Sequence, residues 1–139
     1  MTGKLYLLDI TNINNAKIVD IKYKFFIVRS CKNQLYYKNK GWYVTPTLSP
    51  SPQLFKKYLD LRAIGNWNIN SYNNIYVPEF KKQMKLDIPM RNDLNAVLAL
   101  LKAGHDVAFM CYCQEDIMCH RYILGDAYEI RGIEVIKIS

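Results

Sequence analysis

Residues 91–139 read RNDLNAVLALLKAGHDVAFMCYCQEDIMCHRYILGDAYEIRGIEVIKIS, and the reading of this stretch decides the fold. In its first part Leu94, Val97, Leu98 and Leu101 recur at the spacing of one buried helix face. Asn92 or Asp93 can cap that helix, and Gly104 ends it. "HDVAFMCYC" follows at once as a strongly apolar strand. After the connector "QEDIM" a helix is predicted from about Cys119 to Arg131, stopped by Gly132, and "IEVIKIS" alternates as a last strand. Helix, strand, helix, strand in this order is the signature of parallel strands joined by right-handed crossovers. The fold class predicted is α/β: a single three-layer domain over residues 1–139, with a mostly parallel central sheet flanked by helices.

Upstream elements fit that frame. "KLYLLDI" (4–10) reads as a first strand and "TNINNAK" as a polar turn. "IKYKFFIVRS" (21–30) begins alternating and ends continuously apolar, which suits a strand entering a sheet covered on both faces. Residues 31–52 carry Gly41, Pro46, Pro50 and Pro52 and read as one long loop. Ser51 followed by Pro52 opens a helix with Leu54, Phe55, Tyr58 and Leu61 on one face. "GNWNINSYNN" breaks the pattern, and Pro78 and Glu79 open a second helix over "PEFKKQMKL".

The composition narrows the possible functions. The chain has 139 residues, half of them hydrophobic, enough for one domain with a genuine core. No apolar run approaches the ~18–20 residues that span a bilayer, and the N-terminus lacks the pattern of a signal peptide. A cytoplasmic location follows, where thiols stay reduced. Four cysteines, three of them between 111 and 119, do not resemble a disulfide framework. A net charge of +7 favours anionic partners such as nucleotides, nucleic acid or phosphorylated metabolites. The basic residues are scattered, however, as on an ordinary solvated surface. Abundant Lys, Asn, Ile and Tyr suit an AT-rich genome, such as that of a phage or a low-GC bacterium.

In parallel sheets, ligands bind beyond the carboxyl ends of strands, near the start of the following helix. Cys111 and Cys113 finish a strand there, and Cys119, His120 and Arg121 open the next helix. Free N–H groups and the positive end of the helix dipole favour an anion at that point and lower the pKa of a thiol. Four readings compete. An anion or nucleotide pocket would use Arg121, His120 and the helix start. A thiol enzyme would use Cys119 as nucleophile with His120 or His105 as base. A zinc site would use Cys111, Cys113, Cys119 and His120, although no C-x-x-C pair is present. The fourth reading makes Cys111 and Cys113 small buried hydrophobes, and for Cys111 alone it is the preferred one. His105, at the amino end of its strand, reads as structural. In "LYYKNKGWYV" aromatics and lysines interleave, as on a base-stacking surface, whereas most aromatics elsewhere fill cores.

"FMCYCQEDIMCHRYILGDAYEIRGIEVIKI" resembles the domain-of-unknown-function family 488, in particular its small phage and bacterial members. Such members have an apolar strand, a "CYEK"-like turn, "CHR" opening a helix, and a final "G-x-x-V" strand. "FIVRSCKN" is similar to the family's basic strand end, and "PTLSPSPQLFKKYL" to its "LAPS" segment. The resemblance extends from about residue 20 onward. It implies that Cys111, Cys119, His120 and Arg121 occupy motif positions, and that Arg29 matches a basic residue at a second strand end. Where the family usually has a glutamate, this chain has Cys113, with Glu115 or Asp116 as the available substitutes.

The leading expectation is a protein that binds a nucleotide-like or phosphorylated anion. Arg29 and Ser30 would stand on one side of the ligand, with Cys113 and Cys119–His120–Arg121 on the other and Tyr36, Tyr37 or Trp42 as cover. Sequestration of a nucleotide signal by a phage is one use of such a pocket. The alternatives are a cysteine-dependent enzyme of nucleotide or nucleic-acid metabolism, with Cys119 and His120 catalytic, and a basic nucleic-acid-binding protein. No cofactor is expected, zinc being the minor alternative.

Overall fold

The computed structural model describes residues 1–113 and 117–139. Five strands form one sheet in the order β3-β2-β4-β1-β5, and every neighbouring pair is parallel. The strands are β1 (Lys4–Asp9), β2 (Tyr23–Phe26), β3 (Trp42–Val44), β4 (Val107–Cys111) and β5 (Glu134–Lys137). The helices are α1 (Gln34–Asn39), α2 (Pro52–Ala63), α3 (Ile69–Ser71), α4 (Val77–Leu86), α5 (Ile88–Lys102) and α6 (His120–Ile130). All five residues of β4 are buried, as its unbroken apolar run requires of an inner strand covered on both faces. The α/β class with a parallel sheet is thus what the chain adopts. Among the described residues no helix is long and apolar enough to cross a membrane.

Side chains alternate across a strand, which fixes what each face buries. Leu7 of β1 and Phe109 of β4 are register partners facing α6. Tyr128 of α6 packs 6.0 Å from Phe109, centroid to centroid. Gly125 lets the helix close onto the sheet, because a Cβ there would lie 2.7 Å from Leu7 Cδ1. Phe26 points to the opposite face, where Tyr37 of α1 packs at 4.7 Å. β1 and β4 end level, with Asp9 in register beside Cys111. The fold therefore brings the last residues of two inner strands and the start of α6 to one edge.

Three local expectations are corrected. Residues 31–52 hold α1 and β3 in place of a long loop, because Tyr37, Trp42 and Leu48 are buried there and Gly41 makes the turn at φ 86°. Helical structure begins well before Pro78: α3 runs through one wide turn at Tyr72–Tyr76 directly into α4. Asn68 and Ser71 start it with reciprocal side-chain-to-backbone bonds of 3.0 and 2.9 Å. Burial of Tyr72 and Tyr76 then outweighs the poor helix propensity of the asparagines. Finally, α5 is capped by Asp87, which accepts from the Met90 amide at 3.0 Å, and not by Asn92 or Asp93. Asp93 lies inside the helix and accepts from the Thr47 hydroxyl.

The Asp87 cap makes a direct prediction. Asp87→Ala should lower the unfolding free energy by about 1 kcal/mol in urea titrations. Asn92→Ala should leave it within about 0.5 kcal/mol. The reverse ranking would contradict the cap assignment.

Candidate functional site

The described residues at the end of β4 and the start of α6 gather around one guanidinium. Arg121 is 2% exposed, although it lies in the first turn of a helix. Its Nη1 donates to the Cys111 sulfur at 2.8 Å and to the Cys113 carbonyl at 2.6 Å. Its Nη2 donates to the Tyr122 hydroxyl at 2.9 Å, and its Cζ sits 4.5 Å from the centre of the Tyr122 ring. Cys119, the residue that caps α6, is also buried, and its sulfur lies 3.1 Å from that of Cys111. The Tyr72 hydroxyl donates to the Cys119 carbonyl at 3.1 Å, tying the wide turn before α4 to the same point. Cys113, half-buried, sets its sulfur 3.8 Å from the Met118 carbonyl.

The two close cysteines are shifted in opposite directions. Cys111 is held below the ordinary thiol pKa, first by the hydrogen bond from Cys119 and then, against the cost of burial, by the Arg121 charge and N–H. Cys119 is pushed well up by burial, and the bonds it makes to Cys111 and Cys113 add to that direction. The Cys111 sulfur thus lies between the Cys119 sulfur and the guanidinium, a setting that favours the thiolate form at Cys111 over Cys119. Burial works against the Arg121 cation, but the sulfurs of Cys119 and Cys111 outweigh it and hold the guanidinium firmly charged. This differs from the expectation that the start of α6 would activate Cys119. The helix end is buried, so desolvation outweighs the dipole there, and the guanidinium reaches Cys111 instead. Cys111, expected only to pack, is packed but also faces the guanidinium.

His120 is buried and its Nε2 bonds the Ile27 carbonyl at 2.8 Å. Burial pushes its pKa down to about 4, the Ile27 bond opposes this, and the Arg121 charge adds to it. His120 is therefore neutral, with Nε2 donating to Ile27 and Nδ1 left facing the Cys119 sulfur at 3.7 Å. It supplies no positive charge to a ligand.

The other residues expected at the site are more dispersed. Arg29 and Ser30 are exposed, and Arg29 Nε donates to the Pro50 carbonyl at 3.1 Å. Tyr37 is buried against Phe26, and Trp42 is 2% exposed with Lys24 over its ring at 5.6 Å. Tyr36 is half-exposed, with Lys40 over its ring at 5.3 Å. His105 packs edge-on against Tyr23 at 5.2 Å. Glu115 and Asp116 lie outside the described residues. Among the described residues no group of three or more His, Cys, Asp or Glu is placed to hold a metal.

Sequence reading overlooked several neighbours of the site. Asp9, beside Cys111 in register, accepts from the Thr11 amide at 2.8 Å. Tyr72 and Tyr122 each bond a residue of the cluster and both line a cavity of about 250 Å³. Lys81, Lys137 and Asp126 also line it, giving an excess of one positive charge. Spacing alone does not reveal these residues, since they come from β1, the wide turn before α4, α4 itself, α6 and β5.

A parallel α/β domain with a buried cysteine–guanidinium contact at its strand ends is the class that this geometry defines. The chain belongs to the DUF488 family: the family model DUF488-N3a, described as the active DUF488-N3 subclade, matches residues 12–132. No curated protein and no solved structure matches the chain.

His120 predicts how stability depends on pH. Its pKa is lower folded than unfolded, about 4 against ~6.5, so the unfolded chain binds more protons between those values. Its contribution is complete above pH ~6.5 and is lost as pH falls toward about 4, up to roughly 3 kcal/mol. Urea unfolding of wild type and His120→Gln between those limits should show a steeper fall for wild type. Parallel curves would refute the assignment of a neutral buried imidazole.

Proposed function

We propose that this chain is a cysteine-dependent enzyme in which Cys111 is the nucleophile and the substrate is an anionic, nucleotide-like or phosphorylated molecule. The observation that carries the reading is the 2.8 Å contact between Arg121 Nη1 and the Cys111 sulfur. A thiolate is the nucleophilic form of cysteine, and it persists in a buried position only with a positive partner. Arg121 stabilises that form and is restrained by the Cys113 carbonyl and the Tyr122 hydroxyl, so its role is positioning and electrostatic. Cys119 donates to the thiolate, and neutral His120 presents Nδ1 beside it. The family model's description as an active subclade agrees with an enzymatic role. An anionic substrate suits the net charge of +7 and the lysines of the neighbouring cavity.

Paired alkylation tests this reading. At pH about 6.5 iodoacetate, an anion, and iodoacetamide, its neutral counterpart, should both label Cys111 first, roughly tenfold or more faster than Cys31 or Cys113. Relative to a free model thiol, the site should favour iodoacetate. Labelling of Cys31 and Cys113 with Cys111 untouched would overturn the proposal.

A second reading, binding without chemistry, is favoured by the cavity itself. Lys81 and Lys137 would receive the anion, with the Tyr122 ring as an apolar wall. Calorimetric titration of a nucleotide panel should then give binding by wild type that Lys137→Glu weakens about tenfold. Equal affinities, or none, would remove this reading.

A further inference from the structure

In the proposed reaction Cys119 only hydrogen-bonds to Cys111, yet the two sulfurs lie 3.1 Å apart. From the 3.1 Å separation of the two sulfurs and the guanidinium beside Cys111, we propose that Cys111 and Cys119 form a reversible dithiol–disulfide couple oxidised by a hydroperoxide. The inference rests on the reading of Cys111 as the thiolate and adds a modification site and a partner residue to it.

The geometry is unusually close to bonding. A disulfide requires about 2.05 Å between sulfurs, so one sulfur must approach the other by only about 1 Å. Cys119 stands at the N-terminal cap position of α6 with extended backbone angles (φ −145°, ψ 146°), and its buried sulfur is held against that of Cys111. Cys111 lies at the last position of β4 and keeps its place in the ladder beside Asp9.

The chemistry balances without a cofactor. The Cys111 thiolate attacks the outer oxygen of the hydroperoxide, the O–O bond breaks, and the departing alkoxide or hydroxide takes a proton from solvent. Cys111 is then a sulfenic acid. The Cys119 sulfur attacks the Cys111 sulfur, the S–O bond breaks, and the thiol proton of Cys119 leaves with the hydroxyl as water. Two electrons have passed from the pair of sulfurs to the peroxide. An external dithiol returns them and restores both thiols. Oxidation of Cys111 also prepares its partner: once Cys111 is neutral, its opposition to a charge on Cys119 disappears while the attraction of Arg121 remains. Cys113 also bonds Cys119, and the test below separates the two pairings.

The test is thiol mapping after exposure of the whole chain to hydrogen peroxide. Wild type should lose two of its four free thiols, with peptide mapping placing the bond between Cys111 and Cys119, and dithiothreitol should restore them. Cys113→Ser should behave like wild type. Cys119→Ser should accumulate dimedone-reactive sulfenic acid at Cys111 and proceed to sulfinic acid. If Cys119→Ser does not fold, the wild-type and Cys113→Ser maps decide alone. A Cys113–Cys119 bond, an intermolecular bond, or four surviving thiols would overturn the couple. Rapid alkylation of Cys111 without disulfide formation would overturn this inference and leave the nucleophile reading standing. Failure of both would remove that reading as well.

Discussion

A guanidinium that is 2% exposed organises this end of the molecule. Removing an ion from water costs several kcal/mol even after relaxation. Two opposite charges about 4 Å apart recover ~4 kcal/mol at an effective dielectric constant near 20. Those magnitudes are comparable, so Arg121 is sustained only because an anionic partner and further acceptors are all present. Among the described residues the Cys111 sulfur, the Cys113 carbonyl and the Tyr122 hydroxyl accept from it. Each of these groups is in turn held by the fold. Cys111 is fixed by the β4 ladder, Cys113 by the chain leaving that strand, and Tyr122 by its place next to Arg121 on α6. The site and the crossing from β4 to α6 are therefore one structural unit.

The same constraint explains the uneven chemistry of the neighbouring residues. Cys119, closer to the start of the helix, stays protonated because it is fully buried and because its proton serves Cys111. His120 stays neutral because a second cation beside Arg121 would be opposed by burial and by like charge together. An arrangement that looks in sequence like a set of interchangeable ligands is, in space, a set of groups with different and mutually dependent protonation states.

Much of the fold was legible in the residues. The helix face of Leu94, Val97, Leu98 and Leu101, the unbroken apolar run of β4, and the glycines after α5 and α6 each carry a local signal strong enough to survive packing. The location of the site followed from topology, since a parallel strand that runs into a helix places its last residues at the ligand-binding edge. What remained hidden depends on tertiary burial. Asn68, Asn70, Asn73 and Asn74 argue against a helix until Tyr72 and Tyr76 are seen to be buried. Gly41 and three prolines suggested a loop because the anchoring of Tyr37, Trp42 and Leu48 has no local signature. The choice between Cys111 and Cys119 could not be read from spacing either. It turns on whether the end of α6 meets water or core, and on which sulfur the Arg121 side chain reaches.

The measurement that bears most directly on this account is the ultraviolet absorbance of thiolate as a function of pH, taken for wild type, Cys111→Ser and Cys119→Ser. The account predicts one thiolate in wild type well below the ordinary cysteine pKa of ~8.5. That step should be absent in Cys111→Ser, and in Cys119→Ser it should move to higher pH, as the hydrogen bond to Cys111 is weakened. A low-pH thiolate that survives in Cys111→Ser and disappears in Cys119→Ser would contradict the account, because the charge that Arg121 holds would then belong to the other sulfur.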